Sequence, residues 1–245
     1  MAEYSREAKR WFTILDAVLK LPGTKIDREV FLQKTFEKYC DSGTVNKILQ
    51  DGPEGAGVDI TLMEKVSGDV IAKHTNTATL ISAAAGLPGG LAMAATIPAD
   101  VVQFYHHVVV AAQQIAYVYG FQSVEEADFK SFLTLLIGQM AGVEEADNAL
   151  NEIAAEQFTK KMSKITMGKI LDKTVTRVAV VIGVHLGKRS VLKIVTKAVP
   201  LVGGLLSGGM TFFSFKPMCN NLERKLYNTV ETNRNKTVQK EVTAN

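Results

Sequence analysis

Residues 97–120 read IPADVVQFYHHVVVAAQQIAYVYG, and the periodicity of this stretch decides the fold class. On a wheel at about 100° per residue, Asp100, Gln103, His107 and Gln114 fall within a sector of roughly 60°. His106, Gln113 and Tyr117 form an adjoining stripe, and Val101, Phe104, Val108, Ala111, Ile115 and Tyr119 occupy the other side. Apolar residues recurring at three and four positions mark a helix rather than a strand. Pro98 suits the first turn, where its missing N–H is not needed. Gly120 suits the position just past the last turn. The spacing therefore predicts a helix from about 98 to 119. Its polar side carries one formal charge, Asp100, which fits a buried polar interface or a wet groove better than open surface.

Working outward, residues 75–124 contain no other formally charged residue. The first half of that segment is rich in alanine and glycine, and GLPGG (86–90) breaks it, predicting two short helices joined there. A second run, AVPLVGGLLSGGMTFFSF (198–215), repeats the idea of a proline-glycine break between apolar helical pieces. Gly86, Pro88, Gly89, Gly90, Pro98, Gly120, Pro200, Gly203, Gly204 and Gly208 are the structural markers of these two runs. Gly86/Gly90, Gly138/Gly142 and Gly204/Gly208 have the spacing that lets helix backbones approach closely. Residues 76–97 are long enough in number to cross a bilayer, but the Pro-Gly break cuts them into pieces too short to do so.

Elsewhere helix signals are frequent and strand signals scarce. Trp11, Ile14, Leu15, Val18 and Leu19 share helical spacing over 3–20, and Pro22-Gly23 ends that run. Asp27 and Thr44 are candidate caps, GPEGAG (52–57) reads as a linker, and Asp59 or Thr61 starts a helix toward Lys73. Ser123 and Glu126 form an S-x-x-E capping box ahead of FKSFLTLLIGQMAG. The polar tail from Thr229 lacks periodicity and reads as disordered. The expected architecture is all-α, a multi-helix bundle with glycine-rich apolar central helical hairpins. Its expected parts are an N-terminal helical subdomain over 1–51, a linker over 52–58, a main helical domain over 59–228 and a disordered tail over 229–245.

The 245 residues carry a formal net charge of +3, too little for a global nucleic-acid argument. Cys40 and Cys219 fit no metal or disulfide spacing, and MAEYSREAKRW lacks the uncharged core of a signal peptide, so a reducing cytoplasmic setting is expected. Charge is segregated: residues 125–156 hold eight acids against Lys130, and residues 160–197 hold ten Lys or Arg against Asp172. A basic segment beside apolar glycine-rich runs is the arrangement expected for anionic membrane surfaces. Packing of that segment on the acidic helices explains it equally well. The segment has no aromatic residue for base stacking, so nucleic acid is not expected. Trp11 is expected in the core.

Metal binding by Asp100 and the histidines is disfavoured. Asp100 and His107 are two turns apart, roughly 10 Å along the axis, and adjacent histidines diverge. No nucleophile motif or phosphate-cradling loop is present. No metal, cofactor or catalytic residue is expected.

The stretches LPGGLAMAATIPADVVQFYHHVVVAAQQIAYVYGF, LLIGQMAGV and AVPLVGGLLSGGMTFFSFKPMCNNLERKL resemble the EcsC family in order and spacing, over roughly residues 60–228. The resemblance implies a bacterial helical protein, cytoplasmic or peripheral on the inner face of the cell membrane. The founding member is encoded beside the components of an ABC-type export system, so the implied partners are an anionic membrane surface or a transport component. It implies no catalytic residue. The leading expectation is a non-enzymatic, peripheral membrane-associated accessory protein. Asp100, Gln103, His107, Gln114, Lys188, Arg189, Lys193 and Lys197 are its candidate ligand- or lipid-binding residues. The alternatives are a module binding an apolar ligand or partner helix along the 98–119 helix, and a hydrolase or metalloenzyme using Asp100 and nearby histidines.

Overall fold

The computed structural model describes residues 5–85, 99–158, 174–183 and 200–243. Among them are nine helices and no strand, so the protein is an all-α multi-helix bundle. The helices are α1 (Arg6–Leu19), α2 (Arg28–Phe36), α3 (Ser42–Gly55), α4 (Ile60–Ala85), α5 (Ala99–Val118), α6 (Glu126–Met140), α7 (Glu144–Phe158), α8 (174–183) and α9 (Pro200–Thr243).

Short polar side chains set most starts. The Ser5 hydroxyl accepts from the Ala8 N–H, and the Asp27 carboxylate accepts from the Val30 N–H at 3.0 Å. Each satisfies an amide that the helix itself leaves unpaired. For α3 the cap is Asp41 rather than Thr44; Thr44 instead donates its N–H and hydroxyl to Asp41. Asp59 starts α4 by accepting from the Thr61 N–H at 2.7 Å. The linker expected over 52–57 is largely helical. Gly52, at φ 78°, breaks α3, and Pro53 then opens a further turn that runs to Gly55. Helix α4 continues well past Lys73, to Ala85.

Three further expectations are corrected. Residues 123–126 form no capping box, because α6 begins at Glu126 and Glu125 caps it without a side-chain hydrogen bond. Ser123 bonds Tyr117 instead, and Glu126 pairs with Lys25. The 198–215 run shows no break over its described part: α9 is helical from Pro200 through Gly203, Gly204 and Gly208. Proline at a first helical position and glycines inside a helix are compatible with that path. The tail from Thr229 is helical through Thr243. Val230 is buried, and the Arg234 guanidinium donates to the Val58 carbonyl at 2.6 Å beside Glu54. Long-range partners replace the missing periodicity.

Trp11, Leu32, Ile48, Met63, Ile115, Leu133 and Leu222, from seven different helices, belong to one contiguous core. Helix α5 is central, with α1, α2, α4, α6 and α9 packed around it. Trp11 is fully buried, with its indole N–H on the Thr134 hydroxyl at 3.0 Å.

The glycine spacing at 138 and 142 divides into two jobs. A Cβ on Gly138 would lie 2.3 Å from Val178 Cγ1 and 2.9 Å from the Ala146 Cβ, so this glycine lets α7 and α8 close on α6. Gly142, at φ 78°, ends α6, with the Val143 N–H returning to the Gly138 carbonyl. Gly120, at φ 89°, ends α5 in the same way, with Phe121 returning to Ala116.

Helix direction places the two glycine-rich runs. Ser67 meets Tyr119 and His74 meets Gln114, so α4 and α5 are antiparallel. Ser67 also meets Glu223, and Val58 meets Arg234, so α4 and α9 are antiparallel. Phe104 stacks edge-on against Phe215, and Tyr119 bonds Glu223, so α5 and α9 run the same way. The C-terminal end of α4 and the N-terminal ends of α5 and α9 therefore lie at one end of the bundle.

Candidate functional site

The polar stripe of α5 divides between two neighbours. One side faces the connection between α1 and α2. The Gln113 amide donates to the Thr24 carbonyl at 2.7 Å and to the Val109 carbonyl, and its oxygen accepts from the Ile26 N–H. His106 Nδ1 lies 2.8 Å from the Thr24 hydroxyl, whose single proton is directed at the Val18 and Leu21 carbonyls. With its proton on one of those carbonyls, the hydroxyl can accept from a protonated Nδ1. Further along, buried Arg28 donates to the Phe121 and Leu49 carbonyls and ties the α5–α6 connection to α2 and α3.

The other side faces α4. His74 Nε2 sits 3.0 Å from the Gln114 oxygen, which can only accept, so His74 donates. The His74 and His107 ring centroids are 6.0 Å apart, and those of His106 and His107 are 5.4 Å apart. His74 and His107 thus meet in the α4–α5 seam, with His106 beside them on the side that faces the α1–α2 connection. His107 is 8% exposed, and its Nε2 is buried without a partner. Burial, then the neighbouring His74 and His106, lowers the His107 pKa to about 4. Burial lowers His74 and His106 as well, with Gln114 opposing the shift at His74. The seam is uncharged at neutral pH.

A second polar node closes the far end of the same helices. The Tyr119 hydroxyl donates to Glu223 Oε1 at 2.6 Å, with Ser67 within 3.5 Å of both. Burial, then Glu223, pushes the phenol well above its ordinary pKa. Cys219 is buried and its thiol is raised by desolvation, whereas Cys40 is half-buried.

The candidate residues are distributed unevenly over this frame. His107 and Gln114 meet at His74, and Gln103 is half-buried on α5. Asp100 lies in the first turn of α5, and its side chain lies outside the described residues. Lys188, Arg189, Lys193 and Lys197, and the markers Gly86, Pro88, Gly89, Gly90 and Pro98, also lie outside them. Among the described residues, no group of three His, Cys, Asp or Glu side chains has the geometry to hold a metal ion. Sequence reasoning missed His74, Thr24, Arg28 and Glu223. Each meets α5 or its C-terminal connection only through tertiary structure, and no local pattern marks it.

The chain matches no family model, no curated protein and no solved structure.

Proposed function

We propose that this chain is a non-enzymatic, peripheral membrane-associated accessory protein of bacteria, of the EcsC type, that meets anionic lipid at one end of its bundle. One observation supports the reading above others. Three helices end or begin at that end, and their residues there (75–85, 99–103 and 200–214) contain a single formal charge, Asp100. An ordinary exposed bundle end collects Lys and Glu. The sequence entering α9 at Pro200 is the basic run with Lys188, Arg189, Lys193 and Lys197, and a basic run adjoining an apolar one along the chain is what an anionic leaflet attracts. No helix among the described residues is long and apolar enough to cross a membrane, so the contact in this reading is shallow. The partner expected from the resemblance, a membrane transport component, belongs to the same proposal.

Vesicle flotation tests it. The protein should float with vesicles containing phosphatidylglycerol at low salt and less at physiological salt, because surface attraction is screened. Protein that stays at the bottom with both neutral and anionic vesicles, at both salt concentrations, overturns the proposal.

A further inference from the structure

Helix α4 is held unevenly along its length. Toward its N-terminal end, Met63, Val66, Val70 and Ile71 are buried in the core, and Ser67 joins the Tyr119–Glu223 node. Arg234 ties down the α3–α4 corner just before it. After Ile71 the packing changes character. Over residues 72–77 the buried side chains are His74 and Thr75, and neither is apolar. A stretch with few buried apolar contacts is the first to open. Its polar contacts are incomplete as well. His74 has the Gln114 oxygen, but the Thr75 hydroxyl and His107 Nε2 are buried without a partner.

A positive charge in this seam meets like charges rather than a counter-ion. The His107 ring lies 6.0 Å from His74 and 5.4 Å from His106, so each proton taken up opposes the next. Around His107, α4 supplies His74 and the exposed Lys73, and α5 supplies His106. Asp100 stands two turns earlier on α5, roughly 10 Å along the axis, with its side chain outside the described residues. The α1–α2 connection meets His106 through the neutral Thr24, and its Lys25 pairs with Glu126. On α1, Asp16 pairs with Lys130. On α9, Lys216 is exposed, and Glu223 is bonded to Tyr119, about 18 Å further along α5. His74 and His106 both lower the His107 pKa, and among the described residues no carboxylate counters them.

We propose that the His74–His107 seam is an acid-sensitive latch, in which protonation releases α4 from α5 over residues 72–77 while the N-terminal half of α4 stays docked. The freed stretch leads into the uncharged end of the bundle. The latch does not rest on the membrane reading, and its test uses no vesicle, so either can fail alone. Taking the folded pKa of about 4 and the ordinary 6.5 for the open seam, His107 alone lowers the ratio of closed to open forms roughly twentyfold between pH 7 and pH 5. An undocked helix end this short frays in water, so its amides exchange with solvent.

Hydrogen exchange of the full chain, read by mass spectrometry and corrected for the intrinsic effect of pH, tests the latch. From pH 7 to pH 5, protection over residues 72–77 should fall at least about tenfold, to a level at least about tenfold below that over 60–70. Low urea should leave exchange over 72–77 unchanged, because a local opening exposes little surface, and should speed exchange over 60–70. His107→Leu should cut the pH response of 72–77 to about threefold or less, and His107→Gln serves if the leucine variant loses its fold. Unchanged protection over 72–77 at pH 5 overturns the proposal. So does protection lost equally over 60–70 and 72–77 with the same urea dependence, which marks global unfolding. A full response that survives substitution of His107 overturns it too.

Discussion

His107 places an imidazole in the α4–α5 seam with one ring nitrogen unpaired, and its titration controls the cost of that placement. Its pKa is about 4 in the folded protein against an ordinary value of 6.5. The unfolded chain therefore takes up the proton first as pH falls. The stability tied to neutral His107 is fully present above pH 6.5 and is lost progressively as pH drops toward 4. A shift of that size corresponds to roughly 3 kcal/mol, and His74 and His106 act in the same direction. Urea unfolding should show a midpoint that falls between pH 7 and pH 5. In His107→Leu that fall should be smaller, with the pH 7 midpoint unchanged or higher, because an orphaned polar atom has been removed. The sequence shows that His106 and His107 point to different sectors of one helix. It does not show what those sectors meet, because Thr24 and His74 are brought in by the α1–α2 turn and by α4, distant in the chain.

At the scale of elements, the close approaches are where small changes count most. Gly138→Ala forces a Cβ into Val178 and Ala146. It should cost about 1–3 kcal/mol, as overpacking does, and Val178→Ala in the same chain should recover part of that in chemical denaturation. The sequence marks Gly138 and Gly142 as a pair because they share a spacing. Their separate roles follow from where α6 ends, a boundary the spacing does not contain. The last helix carries a similar lesson. Nothing periodic in residues 229–243 announces a helix, but Val230 is buried in the core and Arg234 docks on the α3–α4 corner. Ending the chain after Thr229 should lower its thermal midpoint by several degrees, as the loss of about 1–2 kcal/mol does, whereas ending it after Gln239 should leave the midpoint unchanged. Helix type was legible along the described chain because the apolar period of 3.6 is dense and strand alternation is scarce. Helix ends were less so: Asp41 caps α3 where Thr44 was an equal candidate, and α6 starts at Glu126 although Ser123 and Glu126 carry a capping-box spacing.

For the whole molecule, the direction of α4, α5 and α9 matters more than any single contact. It gathers two separated low-charge runs at one end of the bundle and leaves the histidine seam and the Tyr119–Glu223 node to hold the shafts together. Vesicle flotation addresses that end, and acid unfolding addresses the seam. The sequence displayed both runs, but their juxtaposition is a property of topology.

The antiparallel clamp of α9 on α4 also sets an order of events during synthesis. Val58, Ser67 and the core face around them find their partners in residues 219–234, and the hydrogen-bonded pairs are separated by 156 and 176 positions, so those partners emerge from the ribosome long after α4. Until then the α4 face that α9 covers stays open in the nascent chain, and loop closure over most of the chain length must precede the contacts that reward it.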